Sequence, residues 1–238
     1  MPSIHVLDRG SVRLIESWGK GDAGIAEAGI IEAARMSTDG GFNGWTFEDG
    51  TPRDENLLRY LYEHRHTSPF EMAGMTIEVQ APIFVFREWH RHRTQSYNEM
   101  SARYIPIPNL HYIPTRERCM ARDDKNKQAA GFVARPVEAG EAETWLAELE
   151  RINADVERHY RVGLALGLPK EVARMGMNVN RYSRMRASAN LRNWLLFLTL
   201  RMDPAAQYEI RMYANAVGTI IAEHFPRTWA LFEKQRTA

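Results

Sequence analysis

The chain has 238 residues, 44% of them hydrophobic, enough to bury a substantial core as one large domain or two small ones. Lysine plus arginine (31) exceeds aspartate plus glutamate (30) by one, so the balance gives no global attraction to nucleic acid or an anionic membrane, and phosphate binding has to be local. No stretch approaches about 18 uninterrupted apolar residues and no basic N-terminal stretch leads into an apolar one, which argues against membrane insertion and secretion, while the single cysteine, Cys119, rules out an intrachain disulfide or Cys-rich metal site and suits a reducing cytoplasm.

Ile4 to Leu7 and Ser11 to Trp18 carry the β-branched and alternating residues of two short strands around an Asp8-Arg9-Gly10 turn. A helix follows, capped by Asp22, with Ile25, Ala28, Ile31 and Arg35 on one side, ending near Met36-Ser37. Gly40, Gly41, Gly44 and Gly50 make the next segment a loop, and Asp54 to Arg65 reads as a second helix buried through Leu57, Leu58, Leu61 and Tyr62. The turn-like His66-Thr67-Ser68-Pro69-Phe70-Glu71 precedes a strand from Met75 to Gln80, and Pro82 suits the first turn of a helix carrying Phe84 to Arg93. Three prolines between Ile105 and Pro114, then a charged patch from Asp123 to Lys127, predict an irregular excursion over 105–140. Glu141 to Leu166 is the clearest helix, with Trp145, Leu149, Ile152, Val156 and Tyr160 at intervals of four and three. Lys170 to Met177 forms a short helix, and Asn180 to Ala189 a strand whose alternation Arg181, Arg184 and Arg186 spoil. Leu191 to Arg201 and Pro204 to Phe225 are helical, the second with Ile210, Ala214, Val217 and Ile221 on one face. A few strands among many helices, with no repeat and no good linker, predict an α+β single domain over 1–238, with a small, mainly antiparallel sheet flanked by helices.

The densest chemistry lies between Arg87 and Tyr104, where four arginines, two histidines and two serines follow the apolar run Ile83 to Phe86. Arginine offers a permanently charged planar fork suited to phosphate, and serine hydroxyls complete such a pocket. Trp89, Tyr97 and Met100 interleave the charges, unlike a freely solvated basic face. Further arginines beside apolar residues, Arg174, Arg181, Arg184, Arg186, Arg192 and Arg201, need anionic partners if buried. No glycine-rich phosphate loop is present, and the histidine pairs His64/His66 and His90/His92 lack metal-site spacing, so no metal is expected. A thiolate at Cys119, favoured by neighbouring arginines, is a competing chemistry.

Arg91-His92-Arg93 followed by seven residues and Ser101 matches the R-H-R-x7-S signature of the flavin-dependent thymidylate synthases, the ThyX family. Ser96, Asn98, Glu99, Arg103 and Tyr104 resemble the signature's usual extension. Similarity runs along the chain through Ala34-Arg35-Met36-Ser37, His66-x-Ser68-Pro69-Phe70-Glu71, Glu171-Val172-Ala173-Arg174, Asn190-x-Arg192, and Leu200-Arg201 with Gln207-x-Glu209-Ile210.

The resemblance implies methylation of dUMP to dTMP with 5,10-methylenetetrahydrofolate as carbon donor, FAD as cofactor and NADPH as reductant, in a homotetramer with FAD sites shared between subunits. It implies FAD contacts from Arg91, His92, Arg93, Ser68, Glu99, Asn190 and Arg192, with Ser37, His66 and Glu71 lining the same pocket. It places dUMP against Glu88, Arg91, Glu99, Ser101, Arg103, Arg174 and Arg201, with Ser101 a binding group and not a nucleophile. Arg201 then stabilises negative charge developing on the uracil ring, the catalytic role. One position departs: the residue five before Arg201 is usually Asn or His and approaches the flavin, and here it is Leu196, which packs but forms no hydrogen bond, with Asn193 or Gln207 as candidate replacements. Other readings are a nucleic-acid-binding module, a pyrimidine methylase of changed nucleotide specificity, and a catalytically silent paralogue.

Overall fold

The computed structural model describes residues 3–21, 26–123, 125–126, 129, 131 and 135–237. Strands β1 (Ile4–Val6) and β2 (Gly10–Trp18) form the expected hairpin, with Leu7 at φ 58° in its turn. β3 (Gly74–Pro82), β4 (Ser96–Glu99) and β5 (Tyr182–Asn190) complete a sheet in the order β1-β2-β3-β5-β4, antiparallel at every pairing. Alternation puts Val12, Leu14, Met75, Ile77, Val79, Met185 and Ala187 on a buried face. The opposite face carries Glu78 between Arg13 (3.0 Å) and Arg186 (3.8 Å).

Helices cover the apolar face: α1 (Ala28–Arg35), α2 (Asp54–Glu63), α3 (Ile83–Trp89), α7 (Leu191–Arg201), α8 (Tyr208–His224) and α9 (Pro226–Thr237). Ile210, Ala214, Val217 and Ile221 of α8 are all fully buried, as their spacing predicts. In α2, Leu58 and Leu61 are buried and Leu57 and Tyr62 pack at the core's edge. α1 begins only at Ala28; the expected cap Asp22 and Ile25 lie outside the described residues. No described helix is long and apolar enough to cross a membrane.

Several boundaries differ from the sequence reading, each for a local reason. α3 stops at Trp89, so Arg91-His92-Arg93 is not helical: the His92 N–H turns back to the Trp89 carbonyl (3.0 Å) and the Gln95 N–H to the His92 carbonyl (3.3 Å). The four-residue edge strand β4 then adds to β5. The alternation of β5 is intact, because Arg184 and Arg186 share its outward face. Arg181, just before the strand, is buried, with Nη1 2.8 Å from Glu157 and its Nη2 and Nε donating to the carbonyls of Ile107 (2.7 Å) and Pro108 (3.0 Å). Glu157 sits on α5 (Ala139–Ala165), started by a capping box between Glu138 and Glu141. α5 buries Ala142, Asn153, Glu157 and Tyr160, while Trp145 and Ile152 of the apolar repeat stay 55% and 40% exposed. The described residues of 105–138 are largely irregular but include the short helix α4 (Arg116–Met120), and α6 (Lys170–Ala173) leads into a 3-10 turn at Arg174–Gly176.

Candidate functional site

The turn after α3 brings the R-H-R segment against α7. His92 is buried, its ring edge-on to Phe197 at 4.8 Å, while Arg91 and Arg93 on either side of it are exposed and have no ion-pair partner among the described residues. Asn193 donates its side-chain amide to the Thr94 carbonyl (3.1 Å), tying the segment to the start of α7.

At the other end of α7, Arg201 turns back toward α3. Its Nε donates to His92 Nε2 (2.8 Å), its Nη1 to the Glu88 carboxylate (2.9 Å) and its Nη2 to the Glu88 carbonyl (2.9 Å). Burial, reinforced by the Arg201 cation and opposed by Glu88, pulls His92 down to about 4, so the imidazole is neutral near pH 7. Glu88 and Arg201 line a cavity of about 660 Å³ with Arg118, Arg211 and Tyr208. A guanidinium fixed by three hydrogen bonds is a preorganised cation, able to meet charge that develops on a bound ring without reorganising.

Arg87, next to Glu88, faces a different cavity. That one, also about 660 Å³, is lined by His90, Glu99, Ser101, Arg174 and Asn178. β4 delivers Glu99, and the Met100 N–H fastens the segment to the Arg184 carbonyl (2.8 Å), which holds Ser101 at the rim. Arg174 comes from the 3-10 turn after α6 and has no acidic partner among the described residues; Arg103 pairs with Glu171 at 3.3 Å, both well exposed. Of the residues that the sequence assigns to dUMP, Glu99, Ser101 and Arg174 line this cavity and Arg103 reaches its edge through Glu171, whereas Arg91, Glu88 and Arg201 do not line it.

The third group lies around the N-terminus of α7. Asn190 caps that helix, its Oδ1 accepting from the Asn193 N–H (3.0 Å), and Arg192 pairs with Glu71 of the 3-10 turn Ser68–Met72. Arg192 and Leu196 line a cavity of about 530 Å³ with Tyr62, Thr67 and Phe70. His66 is exposed just before that turn and Ser68 is exposed at its start; Ser37 is exposed and donates to the Ala34 carbonyl of α1 (3.1 Å). Leu196 is 51% exposed on α7. Of its candidate replacements, Asn193 already spends its amide on Thr94, and Gln207 donates to Glu209 (2.9 Å).

Burial pushes the Cys119 thiol upward against the pull of Arg118, and Arg118 itself is committed to the buried Glu209 at 2.8 Å. No cluster of three metal-ligating side chains occurs among the described residues. The sequence singles out Tyr97 only as a residue interleaving the charges and does not single out Gln95, yet both fold the R-H-R turn; the signal was that both are large polar-tipped residues inside the motif.

A family model described as thymidylate synthase complementing protein matches residues 13–227. Over 235 residues the chain is 40% identical to a flavin-dependent thymidylate synthase of Thermus thermophilus, covering 98% of this chain and 78% of that one. A flavin-dependent thymidylate synthase of Rickettsia bellii is 35% identical over 246 residues, covering 98% and 79%. Among solved structures, a UMP/dUMP methylase PolB from Streptomyces cacaoi bound with 5-Br dUMP aligns with a TM-score of 0.80 and 30% identity over 97% of each chain.

Proposed function

The chain belongs to the flavin-dependent thymidylate synthases, and on that premise we propose that it methylates dUMP to dTMP in the cytoplasm, taking carbon from methylenetetrahydrofolate and using FAD reduced by NADPH, with no cysteine nucleophile. The observation that carries this reading is the Arg201 guanidinium held by His92 and Glu88, with the exposed Arg91 and Arg93, which have no ion-pair partner among the described residues, flanking that histidine in the chain. Those cations and the exposed Arg192 suit the phosphates of a dinucleotide, so the donor set fits FAD. When bound, FAD supplies the redox chemistry.

Arg91, His92, Arg93, Ser68, Glu99, Asn190 and Arg192 hold FAD, and Ser37, His66 and Glu71 line its pocket. Ser101, Arg103 and Arg174 take the dUMP phosphate, Arg103 first leaving Glu171, an exposed pair of small net worth. Arg201 faces the uracil ring and stabilises charge developing on it, with Glu88 and Arg91 beside it; Glu99 touches both ligands. That Arg201 and Glu88 line one cavity and Ser101, Glu99 and Arg174 another supports a site completed by residues of more than one copy, as in a homotetramer with shared sites. A second reading, that UMP is methylated beside dUMP, is favoured by the likeness to the UMP/dUMP methylase.

The test is dTMP formation by purified protein with FAD, NADPH, methylenetetrahydrofolate and dUMP, leaving out one component at a time, with UMP in a parallel arm. Product that depends on all four is expected. Protein that binds no flavin, or forms no product under complete conditions, overturns the reading.

A further inference from the structure

The segment that bears Arg91, His92 and Arg93 is two consecutive reverse turns, Trp89 to His92 and His92 to Gln95. Short turns closed by single backbone bonds are not rigid by themselves, yet this one has to aim three side chains at once. Two side chains further along the same segment fold back on it. Gln95 is buried and its Oε1 accepts from Trp89 Nε1 (3.0 Å), joining the ends of the pair of turns. Tyr97 does more: its hydroxyl lies 2.7 Å from the His92 carbonyl and 3.1 Å from the Trp89 carbonyl, the acceptors that close the two turns.

The rest of Tyr97 is built to hold that position. In β4 it stands opposite Ala187 of β5, whose small side chain leaves room for the ring to cross toward the turn. His90 packs edge-on to the ring with centroids 4.9 Å apart. Burial pushes the phenol up to about 12, so the hydroxyl keeps its proton and acts as a donor at any working pH.

We infer that Tyr97 is a positioning residue of the flavin site: by sharing its one proton between the two carbonyls that close the R-H-R turns, chiefly that of His92, its hydroxyl fixes where Arg91 and Arg93 emerge and sets the His92 ring against Arg201. The inference rests on the flavin reading above. Tyr97 touches neither ligand. Its effect runs through the His92 backbone to His92 Nε2, which accepts from Arg201 Nε at 2.8 Å, and through the same turn to the two exposed cations. Ser101 and Arg174 line a cavity without Tyr97, so phosphate binding there is independent of this hydroxyl.

Tyr97→Phe removes the hydroxyl and keeps the ring against His90. Both carbonyls retain a backbone donor, from His92 N–H and Gln95 N–H, so no buried acceptor is stranded and the variant folds. The experiment uses the full chain and measures FAD affinity by fluorescence titration, kcat and the dUMP KM, and thermal unfolding, all for parent and variant. The expected result is FAD binding weakened by about 5- to 10-fold, roughly the worth of one hydrogen bond, a kcat reduced by a similar factor and a dUMP KM within about twofold of the parent. Unchanged FAD affinity and kcat overturn the inference. So does a variant whose unfolding midpoint collapses and that loses FAD and dUMP binding in parallel, because that describes a purely structural tyrosine. A parent that itself binds no FAD refutes the flavin reading instead.

Discussion

The Nε–H of Arg201 donates to Nε2 of His92 across 2.8 Å, while the other two guanidinium nitrogens are spent on the carboxylate and carbonyl of Glu88. An acceptor at Nε2 requires a neutral imidazole with its proton on Nδ1. The motif histidine and the arginine 109 residues later are thus one unit, in which each fixes the state of the other.

Replacing the cation isolates its contribution. Arg201→Ala keeps the flavin contacts assigned to Arg91, Arg93 and Arg192, so FAD affinity stays within about twofold of the parent, whereas turnover falls by about 10²-fold or more, the usual cost of one preorganised charge-stabilising group. Arg201→Lys recovers little, because an ammonium lacks the fork that spans His92 and Glu88. Steady-state rates beside FAD titrations check both, and near-parental turnover by Arg201→Ala contradicts the role.

The His92 shift gives a pH dependence with a definite sign. Unfolded, His92 takes a proton near 6.5; folded, it does so only near 4. Its contribution to stability is therefore complete above about pH 6.5, and is lost as pH falls from there through 4, by up to about 3 kcal/mol. His92→Gln keeps an acceptor that does not titrate. Parent stability minus His92→Gln stability, from urea melts, is expected to shrink as pH drops from 7 to 4; a difference that is flat, or grows, contradicts the neutral assignment.

In the proposed flavin site Leu196 offers no hydrogen bond, and Asn193 and Gln207 are already engaged. Leu196→Asn restores a polar group at that exposed position of α7 and is expected to tighten FAD binding by about 2- to 10-fold, the range of one net hydrogen bond. Weaker binding in a fluorescence titration shows that the leucine itself packs on the ligand.

Burial pushes the Cys119 thiol upward, and it lines a cavity of about 710 Å³ beside α4 and α5 whose lining includes no residue of the R-H-R turn. Cys119→Ser is expected to retain activity within about twofold of the parent, because the role needs no thiolate. Complete loss with an intact fold revives covalent attack.

Much of the architecture was legible because it is written in local periodicity. The β1–β2 hairpin, α2, α7 and the buried face of α8 follow from spacing alone. The rest depends on long-range partners. Arg181 looked like a defect in a strand until Glu157, on a helix preceding it, proved to be its partner. Trp145 and Ile152 keep perfect helical spacing and stay exposed, because that spacing does not say what lies opposite. β4 is four residues long and exists through its pairing with β5. At the candidate site, the resemblance pointed to the R-H-R cations and, through a separate segment, to Arg201, but not to the turn that joins His92 to Arg201 nor to the hydroxyl of Tyr97 that braces it, since both are set by side chains reaching back across the turn.

The central claim, flavin-dependent methylation at the dUMP ring, is tested most directly by tritium release from dUMP labelled at the ring carbon that receives the methyl group. The account predicts release by the parent that requires FAD, NADPH and methylenetetrahydrofolate, survives in Cys119→Ser and is lost in Arg201→Ala. No release under complete conditions, or release undiminished in Arg201→Ala, would contradict it.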